Sequence, residues 1–197
     1  KKVTKTITSK NLKEVNIAII GKYVELKDAY KSLDEALVHG GIDNNVRINL
    51  VRIESDRLKL SNIKKDLKNV CGILIPGGFG KRGTEGKIEC INYARKNKIP
   101  FFGICFGMQM AIIEFARNEL KIQKAGSTEF NKNCRPVIGL IEEWNKNGNI
   151  IKGSNKNLGG TMRLGLYPAK LQHNSLVKNI YKKNLIYERH RHRYEVN

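Results

Sequence analysis

Four short apolar runs in the first half of the chain constrain its fold more than any other feature. Each run is rich in β-branched residues and has the length of a strand, and stretches with helical periodicity separate the runs. They are VNIAII (15–20), VRINLVRI (46–53), CGILIP (71–76) and IPFFGI (99–104). Strands that alternate with helices form βαβ units. The sequence therefore predicts an α/β fold with an open, mostly parallel central sheet and helices on both faces.

Helices are expected between these strands at 28–41, 61–69 and 84–98. The first is expected to stop at Gly40 and Gly41, because glycine commonly ends a helix. The second is expected to begin with Ser61 as its N-cap, since a serine hydroxyl can accept a hydrogen bond from a free amide of the first turn.

The second half of the chain has a less regular pattern. We expect strands at 135–144, 161–171 and 185–197, and a short helix at 174–181. The polar, glycine-bearing stretch 145–160 is the best candidate for a mobile loop. Since the sequence shows no internal repeat and no convincing linker, we expect residues 1–197 to form a single domain.

Composition limits the possible classes of protein. Of the 197 residues, 40% are hydrophobic, and no run approaches the roughly 18 apolar residues that span a bilayer. The basic N-terminus lacks the apolar segment of a secretory signal. We therefore expect a cytoplasmic protein with free thiols, no metal site and no membrane partner. Its four cysteines, none in CxxC spacing, are Cys71, Cys90, Cys105 and Cys134.

The strong positive charge raises the question of a nucleic-acid partner. The formal net charge is +19, from 37 Lys and Arg against 18 Asp and Glu. The lysines are spread along the whole chain, often beside asparagine, and form no stripe interleaved with aromatic residues. This pattern favours a solvated lysine-rich surface over a polyanion site, so no nucleic-acid partner is expected. The alternative, a nucleic-acid-binding domain, predicts binding that falls steeply with salt.

The segment Gly103-Ile104-Cys105-Phe106-Gly107 has the pattern of a nucleophile elbow, with cysteine in the place of the nucleophile. A strand ends there, the chain turns sharply, and a helix begins. At a helix N-terminus the dipole favours the Cys105 thiolate. The backbone N–H of Phe106 points to the same space and can bind a developing oxyanion.

A second glycine pair, Gly77-Gly78, follows the run 71–76. Because this run and 99–104 are apolar throughout, we expect both to be central strands whose carboxyl ends lie side by side. An amide of the pair would then be the second oxyanion donor. Two alternatives are an ordinary loop beside a buried thiol and a phosphate-binding loop. The second is weaker, because the segment lacks the GxxxxGK[ST] spacing.

These elements belong to longer stretches that resemble the class I, or triad-type, glutamine amidotransferases, and the glutaminase domain of CTP synthases in particular. The stretches are GKYVELKDAYKSLDEALVHGG (21–41), IPGGFGKRGTEGKI (75–88), GICFGMQMAIIEFARN (103–118), STEF (127–130), GGTMRLG (159–165) and ERHRHRYEVN (188–197). GGTMRLG and ERHRHRYEVN distinguish the CTP synthase group from other amidotransferases. The resemblance implies a flavodoxin-like, class I glutamine amidotransferase fold.

The resemblance also implies a reaction. Cys105 would attack the side-chain amide of L-glutamine and form a glutamyl thioester, with the Gly78 and Phe106 amides as the oxyanion hole. Glu129 would bind the α-ammonium of glutamine, and an arginine of ERHRHRYEVN would bind its α-carboxylate as a fork. Arg193 is favoured over Arg191 and Arg189. The implied substrate-binding residues are Gly78, Phe106, Gly107, Met108, Gln109, Glu129 and Arg193.

Several of these residues could instead have purely structural roles. Glu129 could cap a helix, and Gln109 could be structural. Arg189, Arg191 and Arg193 alternate, so they are expected to share one face of a strand, where they could form a solvated basic edge.

The resemblance further implies partners outside this sequence. In the family, ammonia passes to an N-terminal synthetase domain that uses ATP and Mg to activate UTP and form CTP. GTP activates the glutaminase at the domain boundary, where 152–165 would form the mobile lid, and full-length proteins are homotetramers. The chain contains no P-loop, so ATP and UTP would bind outside it, and no cofactor is expected within it.

A cysteine nucleophile needs a base, normally a histidine oriented by a carboxylate. The resemblance places both in an H-P-E-like motif downstream of residue 197 rather than at His190 or His192. We therefore expect 1–197 to be a domain incomplete at its C-terminus that does not turn over glutamine alone, although Cys105 could still be alkylated. The alternative is a catalytically dead amidotransferase-like module that binds a partner or a nucleotide. The chain's other histidines are His39 and His173.

Overall fold

The computed structural model describes residues 12–140, 143–146, 149–152 and 162–197. By their internal contacts, the residues divide into two compact units, Lys1–Val137 and Ile138–Asn197.

The first unit is built on a four-stranded parallel sheet with the strand order β2-β1-β3-β4. In its register, Ala18 of the first strand pairs with Val51 on one side and Ile73 on the other. The four expected strands are confirmed, and so is the α/β class. The strands are β1 (Lys13–Gly21), β2 (Val46–Glu54), β3 (Gly72–Ile75) and β4 (Phe101–Gly103).

The expectation of two central strands holds for β3 alone. Every residue of β3 is buried, and the strand lies between β1 and β4. β4 is an edge strand among the described residues, and the side chain of Phe102 is 64% exposed. An apolar run therefore did not guarantee a position inside the sheet here.

Four helices connect or follow these strands. They are α1 (Lys31–Asp43), α2 (Ile63–Asp66), α3 (Thr84–Lys96) and α4 (Phe106–Asn118). α3 and α4 bury apolar side chains at helical spacing, which supplies much of the core of this unit. These side chains are Ile88, Ile91 and Ala94 on α3 and Phe106, Met110 and Ile113 on α4.

Two expectations about helix ends were wrong. α1 continues through Gly40 and Gly41 and ends at Asp43, where Asn45 takes a positive φ of 54°. Gly41 instead permits close packing, because a Cβ there would lie 2.7 Å from Cγ1 of Ile48 on β2. Ser61 is not a cap either, since α2 is a single turn whose N-cap is Asn62 without a side-chain hydrogen bond.

The second unit contains β-structure around a short helix. β9 (Arg163–Lys170) and β10 (Leu185–His192) form an antiparallel pair. The segment that connects them in sequence contains α5 (Leu176–Tyr181), with Ser175 as its N-cap. β11 (Tyr194–Val196) pairs antiparallel with the end of β6 (Arg135–Leu140), so that Glu195 lies opposite Gly139. The expected strands and helix of this region are confirmed in outline. The first unit also contains β5 (Ala125–Ser127).

The expectations for 135–144 and 145–160 need correction. β6 ends at Leu140, and a separate strand, β7 (Glu143–Lys146), pairs with β8 (Asn149–Lys152) as a hairpin. Part of the expected mobile loop is therefore regular structure. The remainder, like most of the expected lid at 152–165, lies outside the described residues. Within the described part of the chain, no helix is long and apolar enough to cross a membrane.

Candidate active site

Cys105 lies on a strained turn between β4 and α4. Its φ is 50° and its ψ is −103°, a backbone conformation that a side chain with a Cβ rarely adopts. The turn is fixed on both sides, because the Ile104 amide donates to the Ile75 carbonyl at 2.9 Å and the Gln109 amide donates to the Cys105 carbonyl at 3.1 Å. This is the geometry that the nucleophile-elbow pattern predicts.

The two glycines of the elbow are required by close backbone approach. A Cβ on Gly107 would lie 2.2 Å from the carbonyl oxygen of Ile75, and one on Gly103 would lie 2.6 Å from the carbonyl carbon of Gly107. Both distances are far below van der Waals contact. The strand and the helix can therefore meet at Cys105 only because neither flanking residue has a side chain.

The glycine loop after β3 lies against the elbow. Ile75 pairs with Gly103, which brings the carboxyl ends of β3 and β4 together as expected. A Cβ on Gly77 would lie 3.7 Å from the Cβ of Cys105. Gly78 is exposed, and within the described residues its amide makes no hydrogen bond. The loop thus approaches Cys105 at Gly77, and the next residue, Gly78, has an amide without a hydrogen-bond partner among the described residues.

The thiol of Cys105 does not have the acidity expected from the helix dipole. Partial burial raises the pKa of Cys105 above its ordinary value, and the negative charge of Glu129 raises it further. A backbone hydrogen bond from Phe106 acts in the opposite direction and lowers the pKa, but it does not outweigh the loss of hydration. The helix N-terminus alone therefore does not lower the pKa of the thiol below its ordinary value.

Glu129 is placed at the same site. Its Oε1 accepts a hydrogen bond of 2.6 Å from the Gly80 amide, and its charge acts on Cys105. Ser127, which is fully buried, orients it by accepting a hydrogen bond from the Glu129 amide at 3.2 Å. A carboxylate at this position can bind an ammonium group close to the thiol.

The first turn of α4 supplies the other expected residues. Phe106 and Gly107 are buried beneath the elbow, whereas the side chain of Met108 is 46% exposed. Gln109 is 5% exposed and has interaction partners of its own. The structure therefore places Cys105, its flanking residues and Glu129 together.

The expected arginines lie in the second unit. Arg189 and Arg191 are exposed residues of β10, so they share a strand face as predicted. Arg193 does not belong to that face, because it lies at the break between β10 and β11. Its Nε is buried and has no hydrogen-bond partner among the described residues. Arg193 therefore retains an unsatisfied donor suited to a carboxylate.

His190 and His192 form a cluster within this unit. His190 Nδ1 and His192 Nε2 are 2.8 Å apart, and burial, followed by the charge of Arg163, lowers the pKa of His190. Arg163 also forms an ion pair with Glu195 at 2.5 Å. The contacts of His190, His192, Arg163 and Glu195 with one another therefore account for the position of these side chains.

Sequence reasoning missed two buried lysines. Lys22 is 8% exposed and Lys87 is 2% exposed, and their Nζ atoms lie 5.3 Å and 5.8 Å from the centroid of the Phe106 ring. Lys22 follows the last residue of β1. Because ligand sites in open α/β sheets lie at the carboxyl ends of the strands, this position could have predicted that Lys22 lies near the site. Lys87 Nζ donates to the buried Ser55 hydroxyl at 3.1 Å.

The other cysteines are free thiols, as expected. Cys90 is buried, Cys134 is partly buried and Cys71 is exposed. Among the described residues, no cluster of three or more His, Cys, Asp or Glu side chains is arranged to bind a metal.

Comparison with known proteins identifies the family. The family model described as "Glutamine amidotransferase class-I" matches residues 25–197. The chain belongs to the class I glutamine amidotransferase family. Within this family it is 71% identical over all 197 residues to a CTP synthase of Pelagibacter ubique (strain HTCC1062). It is also 55% identical over 185 residues to a CTP synthase of Aquifex aeolicus (strain VF5).

These matches concern one part of larger proteins. The chain covers 36% of the first relative and 33% of the second, so it spans about a third of the length of each. A solved structure described as the glutaminase domain of Trypanosoma brucei CTPS with bound acivicin has a TM-score of 0.80 and 37% identity. That match covers 93% of this chain and 68% of the other. The amidotransferase fold is thereby confirmed.

Proposed function

We propose that this amidotransferase chain is the glutaminase part of a CTP synthase and that Cys105 is its nucleophile. The observation that carries the proposal is the strained elbow, which places Cys105 at a helix N-terminus and close to Gly77, the residue before Gly78. The similarity to CTP synthases over the whole chain favours this enzyme over a catalytically dead module.

In the proposed reaction, the Cys105 sulfur attacks the side-chain amide carbon of glutamine. The carbonyl π electrons move to oxygen, and the Gly78 and Phe106 amides stabilise the resulting oxyanion. The carbon–nitrogen bond then breaks, and nitrogen takes a proton and leaves as ammonia. Water hydrolyses the glutamyl thioester to glutamate and regenerates the thiol. Since burial raises the pKa of Cys105, a base must remove its proton. We assign that role to no histidine of 1–197.

Two charged side chains are proposed to recognise the substrate. Glu129 binds the α-ammonium of glutamine, and Arg193 binds its α-carboxylate. Two observations support these roles. Glu129 is already at the elbow through its hydrogen bond to Gly80, and the Nε of Arg193 is buried without a partner among the described residues. The first turn of α4, Phe106 to Gln109, forms the wall of the glutamine pocket.

The proposed role in the whole enzyme rests on the resemblance to CTP synthases described above. Ammonia from glutamine would aminate UTP to CTP on a synthetase domain that binds ATP and Mg, and GTP would activate the glutaminase at the domain boundary. The enzyme is further proposed to act in the cytoplasm as a homotetramer. If so, Cys105→Ala should abolish CTP formation from glutamine and leave CTP formation from ammonium salts intact.

Mass spectrometry after exposure to acivicin tests the nucleophile directly. Wild type should carry one adduct on Cys105, excess glutamine should suppress it, and Cys105→Ala should carry none. Cys71 is the matched exposed thiol. If acivicin modifies Cys71 and Cys105 equally, or if glutamine fails to protect Cys105, the thiol is an ordinary one and the proposal is wrong.

A further inference from the structure

Lys22 connects the two backbone segments that carry the proposed oxyanion donors. It directly follows β1, and the residue is 8% exposed. The Nζ donates hydrogen bonds to the carbonyl oxygens of Phe79 at 2.5 Å and Gly80 at 3.1 Å. These carbonyls belong to the two residues that follow Gly78. The ammonium therefore holds the backbone immediately beyond one donor.

The same ammonium also contacts the other donor residue. The Nζ of Lys22 lies 5.3 Å from the centroid of the Phe106 ring, and Phe106 is 1% exposed. Cation–π attraction is strongest where both partners are shielded from water. Because the amide of Phe106 belongs to the residue whose ring Lys22 contacts, one charged group restrains both sides of the oxyanion hole.

Gly78 depends on such restraints from its neighbours. A Cβ at Gly78 would meet nothing within 4 Å, and its amide makes no hydrogen bond among the described residues. The loop also borders a cavity of about 40 Å³, lined in part by Lys22, Gly78 and Phe106. A void of this size holds a water molecule, so the loop has room to shift if its fixing contacts are lost.

Other contacts complete the restraint from the opposite side. Glu129 accepts a hydrogen bond from the amide of Gly80, whereas Lys22 donates to the carbonyl of the same residue. Arg82 Nη2 donates to the carbonyl of Lys22 at 2.5 Å, which ties the end of the loop back to β1. The peptide group that joins Phe79 and Gly80 is thus held by two opposite charges, with Lys22 at the Phe79 carbonyl and Glu129 at the Gly80 amide.

Placing the Lys22 ammonium at this position carries a desolvation cost. Burial lowers the pKa of Lys22, and so does the positive charge of Arg82, while Glu129 and Asp56 oppose the shift. An apolar side chain could fill the same volume without the desolvation cost of an ammonium. The hydrogen bonds and the cation–π contact are what the charge adds.

We propose that Lys22 is a positioning residue of the glutaminase site: by holding the Phe79 and Gly80 carbonyls against the Phe106 ring, it aims the Gly78 and Phe106 amides at a common point beside Cys105. It acts through these backbone groups and touches no reacting atom. The inference rests on the proposed function, because it assumes that these two amides stabilise the oxyanion.

The test compares two electrophiles on wild type, Lys22→Met, Lys22→Arg and Lys81→Met. Acivicin reacts at an unsaturated carbon, so negative charge builds on a neighbouring atom and can use the amides. Iodoacetamide reacts by direct displacement of iodide and needs no such stabilisation. For Lys22→Met we expect kinact with acivicin to fall about tenfold to hundredfold, which is the cost of misplacing a donor. KI and the iodoacetamide rate at Cys105 should stay within about threefold of wild type.

The controls separate position from folding. Lys22→Arg keeps the charge and the donors, so it should restore most of kinact. Lys81→Met removes an exposed lysine from the same loop and should behave as wild type. If Lys22→Met retains the wild-type kinact, Lys22 has no positioning role. If kinact and the iodoacetamide rate fall in parallel, the lysine supports the fold or the thiol and the inference is wrong. If wild type itself shows no glutamine-protected adduct on Cys105, the proposed function fails instead.

Discussion

The guanidinium of Arg95 on α3 holds the buried carboxylate of Glu114 on α4. Arg95 Nε lies 3.2 Å from Oε1 and 3.1 Å from Oε2, and Nη2 lies 2.9 Å from Oε1. The Glu114 side chain is 1% exposed, whereas that of Arg95 is 31% exposed. The pair joins α4, the helix that begins at the elbow, to α3. Glu114 lies about two helical turns after Cys105, so the pair helps to hold the helix that carries the candidate site.

Loss of the Glu114 carboxylate should destabilise the fold. We expect Glu114→Ala to lower the free energy of unfolding by about 3 kcal/mol, the lower end for a broken buried pair because Arg95 retains access to water. Urea unfolding followed by circular dichroism measures this change. Glu119→Gln removes a second partner of Arg95 that is 45% exposed, and it should cost less than about 1 kcal/mol. Equal losses in the two variants would show that burial of Glu114 contributes nothing.

Gly40 and Gly41 should respond to alanine in opposite directions. Gly40 is exposed within α1 and a Cβ there meets nothing within 4 Å, so Gly40→Ala should stabilise by about 0.5–1 kcal/mol. A Cβ on Gly41 would lie 2.7 Å from Ile48 Cγ1 and 2.9 Å from the Val46 carbonyl oxygen. Gly41→Ala should therefore destabilise by about 1–3 kcal/mol. Thermal melts of both variants check the sign, and a stabilising Gly41→Ala would contradict the packing role.

This glycine pair also shows where sequence reasoning fails. A glycine that ends a helix and a glycine that lets a helix approach a strand look the same in a sequence. The four strands were predictable because period and composition are local properties. Their order in the sheet was less predictable, because pairing depends on which other segments are available. Among the described residues, β4 lies at an edge of the sheet.

The candidate site divides in the same way. The elbow around Cys105 was predictable, because the spacing of Gly103 and Gly107 follows from local sterics. The contacts of Lys22 were not, because its partners Phe79 and Gly80 lie 57 and 58 residues away in sequence. The raised pKa of Cys105 was also missed, since hydration loss is a property of the folded surroundings and not of the turn.

Lys87 should make stability depend on pH. Burial, followed by the charge of Lys22, lowers the pKa of Lys87 to about 8, while an unfolded lysine titrates near 10.5. Arg82 adds to this lowering, and Asp56 and Glu54 oppose it. Between these pH values the unfolded state binds more protons, so the contribution of Lys87 to the free energy of unfolding rises with pH. This contribution to the free energy of unfolding is fully present above pH 10.5 and is lost as the pH falls through about 8.

The variant Lys87→Met should remove this dependence. Relative to the variant, wild type should gain about 2 kcal/mol in the free energy of unfolding between pH 7 and pH 10. Urea unfolding at several pH values measures the difference. Lys64→Met, which removes an exposed lysine from α2, controls for the loss of one charge. If wild type and Lys87→Met keep a constant difference over this range, Lys87 is not titrating as the structure indicates.

Glu129 should control the acidity of the nucleophile. Burial is the largest cause of the raised pKa of Cys105, and the negative charge of Glu129 raises it further. Glu129→Gln removes that charge and should lower the pKa, while the amide oxygen of glutamine can still accept the hydrogen bond from Gly80. We measure the rate of Cys105 alkylation by iodoacetamide as a function of pH, since only the thiolate reacts. The midpoint of the profile should move to lower pH in Glu129→Gln.

Two other thiols serve as internal references for that measurement. Cys71 is exposed, and its profile should not respond to Glu129→Gln. Burial raises the pKa of Cys90 to about 12, so Cys90 should stay unmodified from pH 7 to 9 in both proteins. A Cys105 midpoint that is unchanged or moves to higher pH would mean that the Glu129 carboxylate does not act on the thiol. If Glu129 binds the α-ammonium of glutamine as proposed, that binding should neutralise the same charge. Substrate binding would then itself favour the thiolate, which couples recognition of the amino acid to activation of Cys105.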